Sequence, residues 1–161
     1  MTTICEAQRG VEMFHLKHGF KTGLLQSLVK GPLEGQAAWL QDWLTTGIQR
    51  SHMIVQEASE LMEAWHDQDV VEIADAIGDL LYVVLGSAAA AGIDVEPIFN
   101  EIQCSNMTKS RNEGRSPLHP KGENYQPPDL KSILLRQFTR EASNHGAEAL
   151  IRARQLFEEK P

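Results

Sequence analysis

Two neighbouring segments of the chain, 48–66 and 70–91, place apolar residues at the three- and four-residue spacing of an amphipathic helix. The short turn HDQD (66–69) separates them, and Asp69 is a suitable N-cap for the second helix, which Gly92 is suited to end. Two helices joined by so short a turn pack antiparallel, because each must bury its apolar stripe against a neighbour. The sequence therefore predicts a helical hairpin within an all-α fold.

Helical periodicity continues through the rest of the chain, and no segment alternates apolar and polar residues as a strand does. A chain of 161 residues suits one domain with a real core. We expect a bundle of four to five core helices over residues 1–130 and a C-terminal helical extension over 131–161, packed on the same domain or on a partner subunit. The other predicted elements are helices over roughly 6–18, 36–46, 97–111 and 130–159 (the last interrupted near 144–146), a mostly irregular segment over 20–35 with a turn of helix around 24–29, and a long loop over 111–129.

The hairpin carries acidic residues at helical spacing. Glu57 and Glu60 lie three residues apart on the first helix, and Asp75 and Asp79 lie four apart on the second. Such spacings put each pair on one helix face. Adjacent carboxylates repel one another, so two facing pairs indicate a cation between them.

Helical projection places these carboxylates at the edge of the apolar stripes, beside a packed core rather than on a solvated face. Antiparallel packing would let the acidic edges face each other, and Gly78 would permit close approach of the helices. The stripes consist of Ile54, Ala58, Leu61, Met62 and Trp65 on the first helix, and of Ile73, Ile77, Leu80 and Val84 on the second.

A cluster of carboxylate oxygens suits Mg²⁺, with Mn²⁺ as a substitute, and no cysteine and histidine spacing fits zinc. Magnesium commonly bridges protein carboxylates to substrate phosphates, so this donor set indicates phosphate-ester or phosphoanhydride chemistry. The basic residues that could meet the phosphates are Arg50, Lys109, Arg111 and Lys121.

Two other interpretations of these residues remain open. Acidic residues at three- and four-residue spacing are common on solvated helix faces, and cations favour helix C-termini through the helix dipole. Glu63 and His66 have the E-x-x-H spacing of di-iron bundles, which need a second such motif. The sequence has none, since Glu141 and His145 are four residues apart.

Net charge and hydropathy argue against two kinds of partner, nucleic-acid polymers and membranes. The formal net charge is −7, which argues against binding to nucleic-acid polymers or to anionic membranes. The longest apolar stretch, 80–93, is shorter than the about 18 residues that span a bilayer. Cys5 and Cys104 are far apart and are expected to be free thiols. We expect a cytoplasmic protein.

Four blocks of sequence occur in order along the chain: QEASEL (56–61), DAIGDLLYVVLG (75–86), IFNEIQCSNMTK (98–109) and KGENYQPPDL (121–130). Together they resemble the all-α nucleoside triphosphate pyrophosphohydrolases, which include MazG-like proteins, dimeric dUTPases and phosphoribosyl-ATP pyrophosphohydrolase. The resemblance covers roughly residues 8–130 and is closest to the MazG-like branch related to dimeric dUTPases. Segment VEMFHLKHGF (11–20) resembles the opening helix of that branch.

The resemblance implies Mg²⁺-dependent cleavage of a nucleoside triphosphate between the α and β phosphates, with dUTP, dCTP and non-canonical nucleotides as candidate substrates, by a homodimer or homotetramer. It implies that Glu57, Glu60 and Asp79 are catalytic and hold the metal. It also implies that Asn106 and Lys109 contact the phosphates or the sugar and that the loop around Tyr125 closes over the nucleotide.

The chain departs from the family pattern at two positions. Gln56 replaces an acidic residue that often precedes the first glutamate, and Ala76 stands where a glutamate usually precedes the aspartate by three residues. Asp75 is the substitute we expect for the latter. The departures leave a second hypothesis open, in which the chain is a catalytically degenerate helical module that binds a nucleotide or a protein without turnover.

Overall fold

The computed structural model of the protein describes residues 3–31, 36–109 and 122–158. In these ranges the chain forms seven α-helices and one short 3-10 helix, and no strand, which confirms the all-α prediction. The helices are α1 (Ile4–His18), α2 (Leu24–Lys30), α3 (Gln36–Asp67), α4 (Val70–Ala91), α5 (Val95–Met107), α6 (Leu130–Ala142) and α7 (Ala147–Gln155), with the 3-10 helix Ser143–His145 between the last two.

Helix α3 is a single element of 32 residues, roughly 48 Å long at the rise of an α-helix. The predicted division into helices over 36–46 and 48–66 is therefore wrong. Gly47, which lies between the two predicted helices, is inside α3, and no atom lies within 4 Å of the position that its side chain would occupy. An interior glycine costs a helix only about 1 kcal/mol, which packing of the flanking turns outweighs.

The predicted helical hairpin is confirmed, with both predicted ends of α4. The Asp69 carboxylate accepts hydrogen bonds from the backbone N–H groups of Val71 (2.9 Å) and Glu72 (3.2 Å). Gly92 ends the helix in the left-handed conformation, with φ of 79°. Between the two helices, Gln68 adopts a φ of 58° and reverses the chain.

Small residues, rather than the predicted large stripes, are the buried ones near the turn of the hairpin. Ala64 of α3 and Ala76 of α4 are buried there. Helices α1 and α2 pack against the part of the hairpin away from the turn, through contacts with Tyr82, Ala89 and Gly92. Four residues of the predicted stripes are exposed: Met62, Trp65, Ile77 and Val84.

Gly78 does not mediate a close approach between described parts of the chain, because no atom lies within 4 Å of the position its side chain would occupy. Close approach occurs instead at Gly86 and Gly92. A side chain at Gly86 would lie 3.0 Å from both Arg50 Nη1 and His15 Nε2. At Gly92 it would overlap the amide of Gln26.

A separate packed core joins α2 to the C-terminal helices. It consists of Val29, Phe138, Ala142, Ala149 and Ala153, each at most 1% exposed. Polar contacts reinforce it: Arg152 Nε donates to the carbonyl oxygen of Val29 (3.0 Å), and Lys30 forms a salt bridge with Glu141. Helices α6 and α7 therefore pack on α2 of the same chain.

The side chain of Gln8 fastens α1 to the turn between α4 and α5. Its Nε2 donates to the carbonyl oxygen of Ile93 (2.6 Å), and its Oε1 accepts from the N–H of Val95 (3.0 Å). Helix α5 ends at Met107, about one turn before the predicted end. Of the predicted loop over 111–129, the part from 122 is described, and it contains no helix or strand.

By length and composition alone, α4 could cross a membrane, as core helices of soluble proteins also could. Here it packs against α1, α2 and α3 and carries three carboxylates, Glu72, Asp75 and Asp79. We describe it as a helix of the bundle.

Candidate active site on the helical hairpin

The hairpin brings the four predicted carboxylates together. Glu57 is half-buried, and its pKa is raised above its ordinary value, first by burial and then by repulsion from three neighbouring carboxylates: Glu60, Asp79 and Asp75. The acidic edges of α3 and α4 therefore face each other. The expectation that they lie beside a packed core is wrong for three of the four, since Glu60, Asp75 and Asp79 are exposed in this chain.

These carboxylates fit a divalent cation by charge and by donor type. All four present oxygen, the ligand that Mg²⁺ prefers, and a cation would relieve the repulsion that raises the pKa of Glu57. Among the described residues, no group of three or more acidic, histidine or cysteine side chains is already arranged around one point. Rotation of exposed side chains would be needed to close such a site. Glu63 and His66 likewise belong to no such group.

Arg50 lies on the same face of α3 as Glu57, two helical turns before it. Its Nη2 donates to Nε2 of His15 (2.9 Å), and its guanidinium carbon lies 5.7 Å from the centre of the Phe20 ring. Burial lowers its pKa. Within the described ranges Arg50 forms no salt bridge. A partly buried cation without a carboxylate partner is costly, so Arg50 is suited to receive an anion.

An aromatic cluster lies between Arg50 and the carboxylates. The Phe14 ring stacks on Phe20 at 6.2 Å and meets Tyr82 edge-on at 5.7 Å. Tyr82 follows Asp79 by three residues on α4, which places it one turn further along the same helix face. All three rings are between 40% and 49% exposed, so they offer a surface on which a flat ligand could stack.

Two predicted substrate contacts, Asn106 and Lys109, lie at the C-terminal end of α5. Segment 122–129, which includes Tyr125, is held against that end: Ser105 Oγ donates to the carbonyl oxygen of Gln126 (2.7 Å). No hydrogen bond or ion pair in the described ranges joins Asn106 or Lys109 to the four carboxylates. Lys121 and Arg111 lie outside the described residues.

Sequence reasoning missed the residues that surround Arg50. His15, Phe14 and Phe20 were part of a segment noted for its family resemblance, and no role was given to any of them or to Tyr82. The concentration of aromatic and histidine residues over 14–20 was the available signal. It could not show that α1 crosses α4 at Gly86, because that contact is set by tertiary packing.

The phosphoribosyl-ATP pyrophosphohydrolase family model matches residues 25–106, about half of the chain. The chain belongs to this family. It is thereby one of the MazG-like all-α nucleoside triphosphate pyrophosphohydrolases, as the resemblance implied. A search of curated proteins finds no match to the chain.

A member of the phosphoribosyl-ATP pyrophosphohydrolase family is a hydrolase that acts on phosphoanhydride bonds of a nucleotide-like substrate. The matched residues run from α2 into α5 and include Arg50 and all four carboxylates. The match leaves out α1, with His15 and its aromatic neighbours, and also α6 and α7. The family match therefore covers the hairpin, while α1 and the surface that it adds lie outside the matched residues.

Proposed function

We propose that this pyrophosphohydrolase cleaves a nucleoside triphosphate between the α and β phosphates in a Mg²⁺-dependent reaction, releasing a nucleoside monophosphate and pyrophosphate. The observation that carries the proposal is the distribution of uncompensated charge along the hairpin. Towards the turn, Glu57 is repelled by Glu60, Asp75 and Asp79. Arg50, which has no salt bridge among the described residues, lies two turns away in the same groove, where the facing edges of α3 and α4 meet. A metal-bound polyphosphate supplies both of the charges that this groove lacks.

Each charged group has a proposed role. Glu57, Glu60, Asp75 and Asp79 hold Mg²⁺, with Mn²⁺ as a substitute. When bound, the ion neutralises phosphate charge and lowers the pKa of a coordinated water. Water attacks phosphorus in line, and the bond between the α and β phosphates breaks as the new one forms. The catalytic carboxylates Glu57, Glu60 and Asp79 orient the water, and one of the three accepts its proton.

Binding of the remainder of the nucleotide is assigned to cations and rings around the groove. Arg50 binds phosphate oxygens through paired N–H donors. The exposed rings of Phe14, Phe20 and Tyr82 stack on the base. Asn106, Lys109 and Lys121 contact the phosphates or the sugar, and the segment around Tyr125 closes over the nucleotide.

The substrate we propose is that of the branch related to dimeric dUTPases: dUTP, dCTP or a non-canonical nucleoside triphosphate. Support comes from the resemblance of segment 11–20 to the opening helix of that branch and from its place in the structure. The segment supplies Phe14, His15 and Phe20 to the surroundings of Arg50. Phosphoribosyl-ATP, the substrate that the family is named for, is the natural competitor.

We further propose that the protein is a homodimer or homotetramer in the cytoplasm. Large apolar side chains are exposed along both helices of the hairpin, including Ile48, Val55, Met62, Trp65 and Leu81. An unpaired surface of this kind commonly marks an interface. Cys5 and Cys104 are free thiols, in keeping with a reducing compartment.

Binding without turnover is the second candidate, and Ala76 favours it. This residue is 6% exposed and lies in the contact between α3 and α4. The family's usual glutamate at this position would point into that contact, whereas Asp75 points to a neighbouring, exposed side. Loss of a ligand aimed into the groove would weaken metal binding.

Pyrophosphate release from a nucleotide panel tests the proposal. The panel contains dUTP, dCTP, the common nucleoside triphosphates, non-canonical ones and phosphoribosyl-ATP, each with Mg²⁺ or Mn²⁺. We expect release from at least one triphosphate, lost by about 100-fold or more in Glu60→Gln and Asp79→Asn. Glu63→Gln is the matched control, because Glu63 lies on the same helix, is exposed and does not raise the pKa of Glu57.

The outcome separates the candidates. No release from any nucleotide, with nucleotide still bound by the folded protein, would establish binding without turnover. Release from phosphoribosyl-ATP alone would reject the dUTPase-related substrate and keep the family's activity. Loss of activity in Glu63→Gln to the same extent as in Glu60→Gln would reject the proposed ligand set.

A further inference from the structure

His15 is a buried histidine that the proposed reaction does not use. It is 1% exposed, and its Nδ1 atom has no hydrogen-bond partner in the described part of the structure. Its Nε2 lies 2.9 Å from Arg50 Nη2. Because arginine can only donate, Nε2 must accept, so the ring is neutral and carries its proton on Nδ1. Burial, and then the charge of Arg50, lower the pKa of His15, which agrees with a neutral ring.

Three elements of structure enclose the Arg50 guanidinium. His15 of α1 accepts its hydrogen bond, and the Phe20 ring, just after α1, covers it at 5.7 Å. His15 and Phe20 also contact each other edge-on, with ring centres 5.5 Å apart. From α4, Gly86 leaves the necessary space, since a side chain there would lie 3.0 Å from Nη1.

This arrangement has a cost that stability alone does not explain. It leaves a ring N–H of His15 buried without an acceptor, and it holds a cation away from any described carboxylate. A hydrophobic residue at position 15 would pack with α4 without the buried donor. A cost of this kind is commonly found where a functional group has to be held in one orientation.

We propose that His15 is a positioning residue, which holds the Arg50 guanidinium in place over Gly86 as a preformed binding group for the substrate's phosphates. The inference rests on the proposed function, because Arg50 has this role only if the ligand carries phosphates. A long arginine side chain loses rotamer entropy when it binds an anion. By fixing Arg50 in advance, His15 reduces that loss and tightens substrate binding.

A double-mutant cycle tests whether His15 acts through Arg50. The variants are His15→Leu, which fills the space without an acceptor, Arg50→Met, which keeps the apolar stem, and the double variant. We expect His15→Leu to raise KM for the hydrolysed nucleotide by about fivefold and to leave kcat nearly unchanged, as expected for a lost hydrogen bond that serves binding. In the Arg50→Met background the same substitution should have no further effect on KM.

Recovery of substrate affinity by a conservative replacement of His15 is the second test. His15→Gln can present an acceptor oxygen near the position of Nε2 and should recover most of the lost affinity. If His15→Leu does not fold, His15→Ala replaces it in the cycle, because it also removes the acceptor of the Arg50 hydrogen bond and places no larger side chain beside Gly86. Circular dichroism and thermal unfolding of each variant separate folding from binding.

The results distinguish this inference from the function it rests on. Turnover by the wild type with additive effects of His15→Leu and Arg50→Met overturns the positioning role and leaves the proposed function intact. Where dUTP binds without turnover, the same cycle is measured in Kd, and the same non-additivity is expected. A wild type that neither hydrolyses nor binds any nucleotide overturns both.

Discussion

The turn end of the α3–α4 hairpin and the core formed by α2, α6 and α7 are built on opposite principles. In the core, five side chains are at most 1% exposed, and the charged groups at its border are paired. At the turn end, aromatic and aliphatic side chains such as Trp65 and Val71 are exposed, and carboxylates of both helices repel one another. The apolar and charged side chains of the core have partners within the chain. Those at the turn end of the hairpin are left to contact a ligand or another subunit.

This difference indicates how the molecule divides its tasks. Groups that repel or remain unpaired reduce the stability of the folded chain, so they persist where a ligand or another subunit completes them. The C-terminal helices lie outside the family match, and their packing on α2 is suited to offset that loss. We therefore expect substitutions in the two regions to affect different measured quantities.

The largest expected effect comes from truncating one aromatic residue in each region. Phe138→Ala leaves a cavity in the α2–α6–α7 core and should lower the free energy of unfolding by about 3–5 kcal/mol. Trp65→Ala removes a side chain that is 64% exposed in the single chain, so in a monomer it should change the free energy of unfolding by no more than about 0.5 kcal/mol. In the proposed oligomer, where another subunit covers this surface, the loss should be larger and should depend on protein concentration. Urea denaturation of both variants at micromolar protein measures the contrast. A large, concentration-dependent loss in Trp65→Ala would show that another subunit covers the hairpin.

Two glycine substitutions should have smaller effects on the free energy of unfolding, and the two effects should have opposite signs. Gly92→Ala forces a side chain into the left-handed conformation and against Gln26, and it should cost about 1–2 kcal/mol. Gly78→Ala lies in a helix interior with open space around it and should stabilise by about 0.5–1 kcal/mol. Thermal unfolding measures both. A destabilising Gly78→Ala would indicate that a partner or a ligand approaches this position closely.

The smallest expected effect is a dependence of stability on pH. The pKa of Glu57 is raised in the folded state, so its carboxylate opposes folding when charged, and the opposition disappears below its ordinary value of 4.5. Without divalent cations, Glu57→Gln should therefore be more stable than the wild type at pH 7, and the difference should vanish near pH 4.

Denaturation midpoints of Glu57→Gln, Glu63→Gln and the wild type, compared at the same pH, measure this effect. Glu63→Gln should match the wild type at both pH values, since Glu63 does not contribute to the shift. Added Mg²⁺ should stabilise the wild type and not Glu57→Gln. Equal stability of Glu57→Gln and the wild type at pH 7 would contradict the repulsion between the acidic edges.

Local signals in the sequence determined the hairpin and its acidic edges correctly. Asp69 and Gly92 set the ends of α4 through their own capping chemistry, and the residue spacing set which carboxylates share a face. The break predicted between residues 46 and 48 is absent, because the cost of Gly47 in a helix is small compared with the packing of a long helix. The exposure of Met62 and Trp65 could not be predicted, because periodicity shows which face is apolar and not whether a neighbour covers it.

The candidate site was predictable to the extent that it depends on spacing within one helix. Glu57, Glu60, Asp75 and Asp79 were found in this way, although spacing does not test their roles in catalysis. The His15–Arg50 contact joins residues that are 35 positions apart in the sequence. Only the crossing of α1 over Gly86 brings them together, and the sequence around Gly86 carries no sign of it.

The continuity of α3 fixes the distance between the two ends of the site. Arg50 and Glu57 belong to one uninterrupted helix, seven residues and nearly two full turns apart. Deleting a single residue between them would rotate one relative to the other by about 100° and remove it from the shared face. The spacing along α3 therefore sets how far Arg50 lies from Glu57. Insertions or deletions between them keep both on one face only if they add or remove nearly whole helical turns.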